Sequence, residues 1–182
     1  MDKIAIIIPS RLNAQRLPNK PLKLINNKEM ILHVYESAIK SNSGEVYIAT
    51  PDQKIIDVVK NIDGKVIKTS DKHETGTDRI FEVFKNALNN QPKIIVNLQG
   101  DMPNIKPKAI SSLVSYMKQG KCDIGTLASE FNSKDEIKNP NVVKVAVKDK
   151  LSDNNFVSVS DFFRLNKDSN DILYHHVGIY AF

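Results

Sequence analysis

Short apolar blocks alternate with amphipathic stretches along the N-terminal part of this chain. Lys3–Ile8 is an apolar run closed by Pro9, the pattern of a buried strand. Residues Pro9–Leu22 follow as a long, basic loop punctuated by prolines. Glu29–Lys40 places Ile31, Val34, Ala38 and Ile39 on one face of a helix. Val46–Thr50 reads as a second strand, Lys54–Val59 as the core of a second helix, and Lys65–Lys68 as a short third strand. The segment Ile80–Leu88 predicts a helix burying Ile80, Phe81, Phe84, Ala87 and Leu88, entered through the turn Thr75-Gly76-Thr77-Asp78. Lys93–Leu98 is a fourth strand, and Pro107–Met117 a helix with proline in its first turn.

Beyond that point the alternation loosens. Ile124–Ala128, Val142–Val147, Phe156–Ser160 and Val177–Ala181 read as strands with little helix between them. Strand and helix alternating four times imply an α/β fold with a parallel sheet covered by helices. The later strands extend that sheet in mixed or antiparallel fashion. No repeat, low-complexity stretch or linker divides the chain, so residues 1–182 are expected to form a single domain. The chain stops at Phe182 inside an apolar run, as expected of a domain whose last segment is missing.

Composition removes several function classes. Hydrophobic residues at 41% and charged residues at 26% are globular averages, which argues against a disordered or membrane-embedded chain. No apolar run approaches the roughly 18 residues of a membrane span. The net charge of +5 and pI near 9.2 come from scattered lysines, and there is no tryptophan. That pattern gives no nucleic-acid-binding signature. A lone cysteine, Cys122, has no partner for an internal disulfide, which suits a reducing cytoplasm.

Four clusters carry candidate chemistry. Pro9, Ser10 and Arg11 are followed by Arg16 and Lys20, so three cations follow a buried strand, flanked by prolines. Such a loop can neutralise a triphosphate, although flexible surface cations would look similar. It is neither a Walker A loop nor a dinucleotide-binding glycine turn. The stretch His73-Glu74-Thr75-Gly76-Thr77-Asp78-Arg79 offers hydroxyls and N–H groups at a helix start, where a plain N-cap is the simpler reading. In Gln99-Gly100-Asp101, the amide can read a base edge and the carboxylate can hold a divalent cation. His175 and His176 are adjacent on a strand and point to opposite faces, which disfavours a shared metal.

Taken together, the motifs Ile7-Ile8-Pro9-Ser10-Arg11, Arg16-Leu17-Pro18-Asn19-Lys20-Pro21-Leu22, His73 to Arg79, Val96-Asn97-Leu98-Gln99-Gly100-Asp101, Asn139-Pro140-Asn141-Val142-Val143-Lys144 and His176-Val177-Gly178-Ile179-Tyr180 resemble the CMP-Kdo synthetases, or 3-deoxy-manno-octulosonate cytidylyltransferases. The resemblance implies a Rossmann-like nucleotide-diphospho-sugar transferase fold, a mixed, mostly parallel sheet with helices on both faces, usually dimeric. It implies a cytoplasmic enzyme that uses Mg²⁺ to join CTP and 3-deoxy-manno-octulosonate (Kdo) into CMP-Kdo and pyrophosphate for lipopolysaccharide synthesis. By position, Pro9, Ser10, Arg11, Thr75, Gly76, Thr77, Arg79 and Gln99 would bind the nucleotide. Arg16 and Lys20 would hold the triphosphate, Asp101 the metal, and His176 with Tyr180 the sugar acid.

This chain departs from the family pattern in three respects. Met102 stands where an acidic residue is common, and the segment from Phe156 reads Val157-Ser158-Val159-Ser160-Asp161 where the family carries Phe-Ser-Arg, with Arg164 lying later. The family also continues past this chain's last residue with a helix and a second metal carboxylate. A cytidylyltransferase for another sugar acid, such as a sialic acid, and a nucleotide-binding remnant are the alternatives.

Overall fold

Ile4–Pro9 forms strand β1, and all six of its residues are buried. Downstream come a two-residue hairpin of β2 (Leu24–Ile25) and β3 (Lys28–Glu29), helix α1 (Met30–Lys40), strand β4 (Glu45–Thr50) and helix α2 (Gln53–Lys60). Strand β5 (Val66–Lys68), helix α3 (Gly76–Glu82), strand β6 (Ile94–Leu98) and helix α4 (Pro107–Met117) follow. This computed structural model describes residues 3–13, 17–152, 155–165 and 170–182. Two compact units result: residues up to Gly125 together with Ile179–Phe182, and Thr126–Gly178.

In the first unit, β5, β4, β1 and β6 lie side by side, all parallel. A central strand between two parallel neighbours has both faces covered, which is why β1 reads as an unbroken apolar run. Ile179–Ala181 pair antiparallel with Leu98–Val96 on the other side of β6. Residues of one parity, Ala5, Ile7 and Ala49, pack with Ile80 and Val83 of the α3 segment, flanked by Tyr47, Ile67, Leu88 and Ile95. The opposite parity, with Ile6, Ile8, Ile48, Val96 and Leu98 fully buried, faces the helices on the other side. The sheet is therefore mixed, mostly parallel and covered on both faces, as the alternation implied.

Three local details differ from the periodicity. Helix α1 begins at Met30 because Glu29 pairs in the hairpin, and Ile39 is half-exposed, one residue past the buried Ala38. Helix α3 starts at Gly76, four residues before the expected start, because Thr75 and Asp78 form a reciprocal capping box. That start directs Ile80 and Val83 to the sheet, and Phe81, about 100° further round the helix, is 61% exposed. Ala87 is also exposed, in a wide turn at Val83–Ala87 that ends the helix. Phe84 is half-buried, whereas Leu88 does return to the sheet core.

The second unit contains strand β7 (Gly125–Ser129) from Thr126 on, the short helix α5 (Lys134–Lys138), β8 (Lys144–Val147), β9 (Val159–Phe163) and the part of β10 (Ile172–Ala181) up to Gly178. β8 lies between β10 and β9 and is antiparallel to both, and β7 pairs with β10. The strand expected at Phe156–Ser160 starts three residues later, and β10 is longer than Val177–Ala181. Val145, Val147 and Tyr174 form the small core.

Lys144 is fully buried beside that core, and its ammonium donates to the carbonyls of Asn139, Arg164 and Val142 at 2.6, 2.7 and 3.1 Å. Three loop carbonyls thus converge on one cation. Replacing it, as in Lys144→Met, leaves those acceptors without a donor. The expected outcome is a loss of about 2–3 kcal/mol of stability, measured by urea unfolding, with amide exchange accelerating first around Asn139–Val142.

Candidate functional site

The carboxyl ends of parallel strands are where open α/β sheets bind ligands, and here the register delivers two loops to the same level. Ile7 of β1 lies opposite Asn97 of β6, so Pro9 and Gln99, two residues on, emerge together. On the other side of β1, the Ser10 N–H donates to the Ala49 carbonyl at 2.9 Å. Asp52, placed to cap α2, instead accepts from the Leu12 N–H at 2.8 Å. The first basic loop is thus tied down at its root by the loop after β4.

Two glycines let a third segment close in. A Cβ on Gly100 would lie 3.0 Å from the Pro9 carbonyl oxygen and 3.1 Å from Ile31 Cδ1. One on Gly76 would lie 3.1 Å from Pro9 Cγ. A side chain at either position would push the turn before α3 or the loop after β6 a few tenths of an ångström away from its neighbours, so glycine favours this close approach to Pro9.

Between these segments lies a cavity of about 270 Å³. Its walls are Pro9, Ser10, Arg11 and Lys20 from the first loop, Thr75, Gly76 and Arg79 from the α3 entry, and Gln99, Gly100 and Asp101 from the loop after β6. Lys20 Nζ meets Asp101 Oδ2 at 2.7 Å, with both side chains substantially exposed. Arg11 donates to the His73 carbonyl at 3.4 Å. The Ser10 hydroxyl is buried without a hydrogen-bond partner, the kind of orphan a polar ligand satisfies. Gln99 donates through Nε2 to Asn97 Oδ1 at 2.8 Å.

A layer behind the cavity holds its wall. Arg79 is only 2% exposed; it donates to the Ser70 carbonyl at 2.8 Å and to the Thr69 hydroxyl. Burial, then the nearby Arg11, pushes its pKa down. Glu82 accepts from the Ser70 N–H at 3.0 Å and pairs with His73 Nε2. Sequence reasoning missed Asp52 and Glu82 as parts of the site, while His73, in the candidate stretch before α3, does line the cavity. Asp52 looks like an ordinary helix cap, and Glu82 lies nine residues beyond the histidine it holds.

Some expected residues lie elsewhere. Thr77 is exposed on the first turn of α3, outside the cavity lining. Tyr180 pairs opposite Asn97 in the sheet and stacks near Phe182; burial raises its pKa. His176 belongs to the second unit, where Nε2 bonds to the Thr126 hydroxyl at 2.9 Å and the ring meets Phe162 edge-on. Burial, then His175, lowers its pKa, which favours a neutral imidazole. Neither residue lines the cavity. Arg16 lies outside the described residues.

A family model described as cytidylyltransferase matches residues 5–182. The 3-deoxy-manno-octulosonate cytidylyltransferase of Thermodesulfovibrio yellowstonii is 40% identical, over 97% of this chain and 73% of its own length. This chain belongs to the 3-deoxy-manno-octulosonate cytidylyltransferase family. The cytidylyltransferase of the same name from Vibrio parahaemolyticus is 36% identical over 97% of this chain and 73% of its own length. A solved structure of CMP:2-keto-3-deoxy-manno-octonic acid synthetase complexed with CTP superposes with a TM-score of 0.86. It is 36% identical and covers 100% of this chain and 74% of its own.

Partial burial pulls the Glu82 carboxyl upward, but hydrogen bonds from His73 and the Ser70 N–H, with the charges of His73 and Arg79, outweigh it and hold its pKa below the usual value. A carboxyl depressed on folding stabilises the native state above its unfolded pKa, and that contribution is lost as pH falls through the folded value. Glu82→Gln is therefore expected to melt below the wild type at neutral pH. The gap should close on acidification through the carboxylate range, as followed by thermal melts across pH.

Proposed function

We propose that this cytidylyltransferase transfers the CMP group of CTP to Kdo, releasing pyrophosphate. The observation that carries the reading is the cavity in which Lys20 and Asp101 meet at 2.7 Å beside Ser10, Gly76 and Gln99. A cation and an exposed carboxylate in contact suit a triphosphate and its counterion. The small and amide-bearing residues in the same lining suit a base. Membership of the family supplies the acceptor.

In the reaction, the anomeric hydroxyl oxygen of Kdo attacks the α-phosphorus and forms a new O–P bond. The bond from that phosphorus to the bridging oxygen breaks, pyrophosphate leaves with the electron pair, and the hydroxyl proton passes to solvent. Little covalent chemistry falls to the protein, so its contribution is positioning and charge stabilisation. Lys20 and Arg11 meet the phosphates, Lys20 giving up its pair with Asp101 to do so. Gly76, Pro9 and Gln99 seat the base against the strand ends.

Mg²⁺ fits this donor set as an ion carried by the nucleotide. Among the described residues no cluster of three acidic, histidine or cysteine side chains forms a ready cage. Mg²⁺ held mainly by phosphate oxygens and waters needs only one or two carboxylates, and Asp101 offers one. Asp101 would hold the ion, which would supply charge neutralisation for the phosphates. The assignment of His176 and Tyr180 to the sugar acid rests on the sequence resemblance, as do the homodimer, the cytoplasmic setting and the supply of lipopolysaccharide synthesis.

The test is pyrophosphate release by the purified chain with Mg²⁺, CTP and Kdo. Activity is expected, and Lys20→Ala and Asp101→Asn should each lower kcat/KM by about 100-fold or more while remaining folded. No release by the folded wild type, or release from a different sugar acid in place of Kdo, would contradict the reading.

A further inference from the structure

Gln99 presents a carboxamide to the cavity. The two ends of that group are nearly identical in shape and opposite in chemistry, an accepting oxygen and a donating nitrogen. Free to turn over, it would serve a base carrying an amino group and one carrying a carbonyl equally well. Here it is held. Nε2 donates to Asn97 Oδ1 at 2.8 Å.

Asn97 stands two residues earlier on β6, so both side chains leave the same face of the strand. It is 2% exposed, and its register neighbours are Ile7 on β1 and Tyr180 on β10. The acceptor is thus embedded in the sheet between two strands, where a displaced hydrogen bond cannot be replaced by bulk water. Gly76 lies near the same nitrogen: a Cβ built there would be 3.8 Å from Gln99 Nε2. Donating one N–H of Nε2 to Asn97 fixes the carboxamide in one orientation, which leaves Oε1 to accept from a ligand.

We infer that Asn97 is a positioning residue that fixes Gln99 as a hydrogen-bond acceptor and so makes the cavity choose cytosine over uracil. The exocyclic N4 of cytosine is a donor, which an accepting Oε1 satisfies. Uracil presents a carbonyl at the same place, and two acceptors face each other without a proton. The discrimination therefore comes as much from rejecting the wrong base as from binding the right one. This inference rests on the nucleotidyl-transfer reading above and adds to it which residue sets the base preference.

The experiment compares kcat/KM for CTP and for UTP, read as pyrophosphate release with saturating Kdo and Mg²⁺. The wild type should prefer CTP strongly. In Asn97→Ala the CTP/UTP ratio should fall about tenfold or more, CTP losing and UTP holding or gaining. Asn97→Asp, which can only accept, should keep more of the preference than Asn97→Ala. Gln99→Met should lose the preference to a similar extent, and the double variant should lose little more, because both act through one contact. A purely structural role would lower both rates and leave the ratio unchanged.

An unchanged ratio in folded Asn97→Ala overturns the inference. Should that variant not fold, an unchanged ratio in Gln99→Met does the same. If the wild type releases no pyrophosphate from either nucleotide, the transfer reading fails. Calorimetric binding of CTP and UTP to the wild type and Asn97→Ala then decides the inference separately, by whether a preference exists and is lost.

Discussion

Parallel pairing of β1 with β6 is the constraint on which the site depends. It sets Ile7 beside Asn97, and everything ligand-facing is measured from that register. A slip of one residue would turn Asn97 and Gln99 to the opposite face. The pairing is held by packing that has nothing to do with chemistry. Ile6, Ile7, Ile8, Val96 and Leu98 have no exposed surface, and helices cover both sides. Burying each such side chain contributes about 1.5–3 kcal/mol. An ion pair as open as Lys20–Asp101, with side chains 37% and 53% exposed, contributes about 1 kcal/mol at most. The pair therefore does not hold the loops together. It reports that the sheet has already done so, and it is cheap to exchange for contacts with a ligand.

Behind the cavity, several polar groups face each other or the backbone rather than open space. Asp52 holds the Leu12 N–H, Arg79 holds Thr69 and Ser70, Glu82 holds Ser70 and His73, and Asn97 holds Gln99. Each fixes a segment that lines the cavity. Such supports make the site's dipoles and donors available before any ligand arrives, which is the cheapest form of electrostatic catalysis. Their cost is borne by the apolar sheet beneath them.

How much of this was legible in the sequence follows from the range of each interaction. β1 and β6 were legible because burial on both faces leaves an uninterrupted apolar run. Lys20 and Asp101 were legible as chemistry because each sits in a short motif past a strand. Their meeting at 2.7 Å is set by the pairing of β1 with β6, which neither motif states by itself. Phe81 was misplaced because a local capping box, not the apolar pattern, sets where α3 starts. The hairpin at Leu24–Glu29 was missed because two-residue strands are too short to show a period. Lys144 and Glu82 were invisible in their roles, since each acts through backbone groups or a partner that spacing alone does not reveal. Thr77 shared a motif with Thr75, yet one step along a helix turned it to solvent.

The most direct measurement is a crystal structure of this chain with CTP and Mg²⁺. The triphosphate and its ion are expected between Lys20 and Asp101, separating the two groups, with the base against Gly76 and Gln99. A nucleotide bound elsewhere, or one bound with the Lys20–Asp101 contact intact, would contradict this placement.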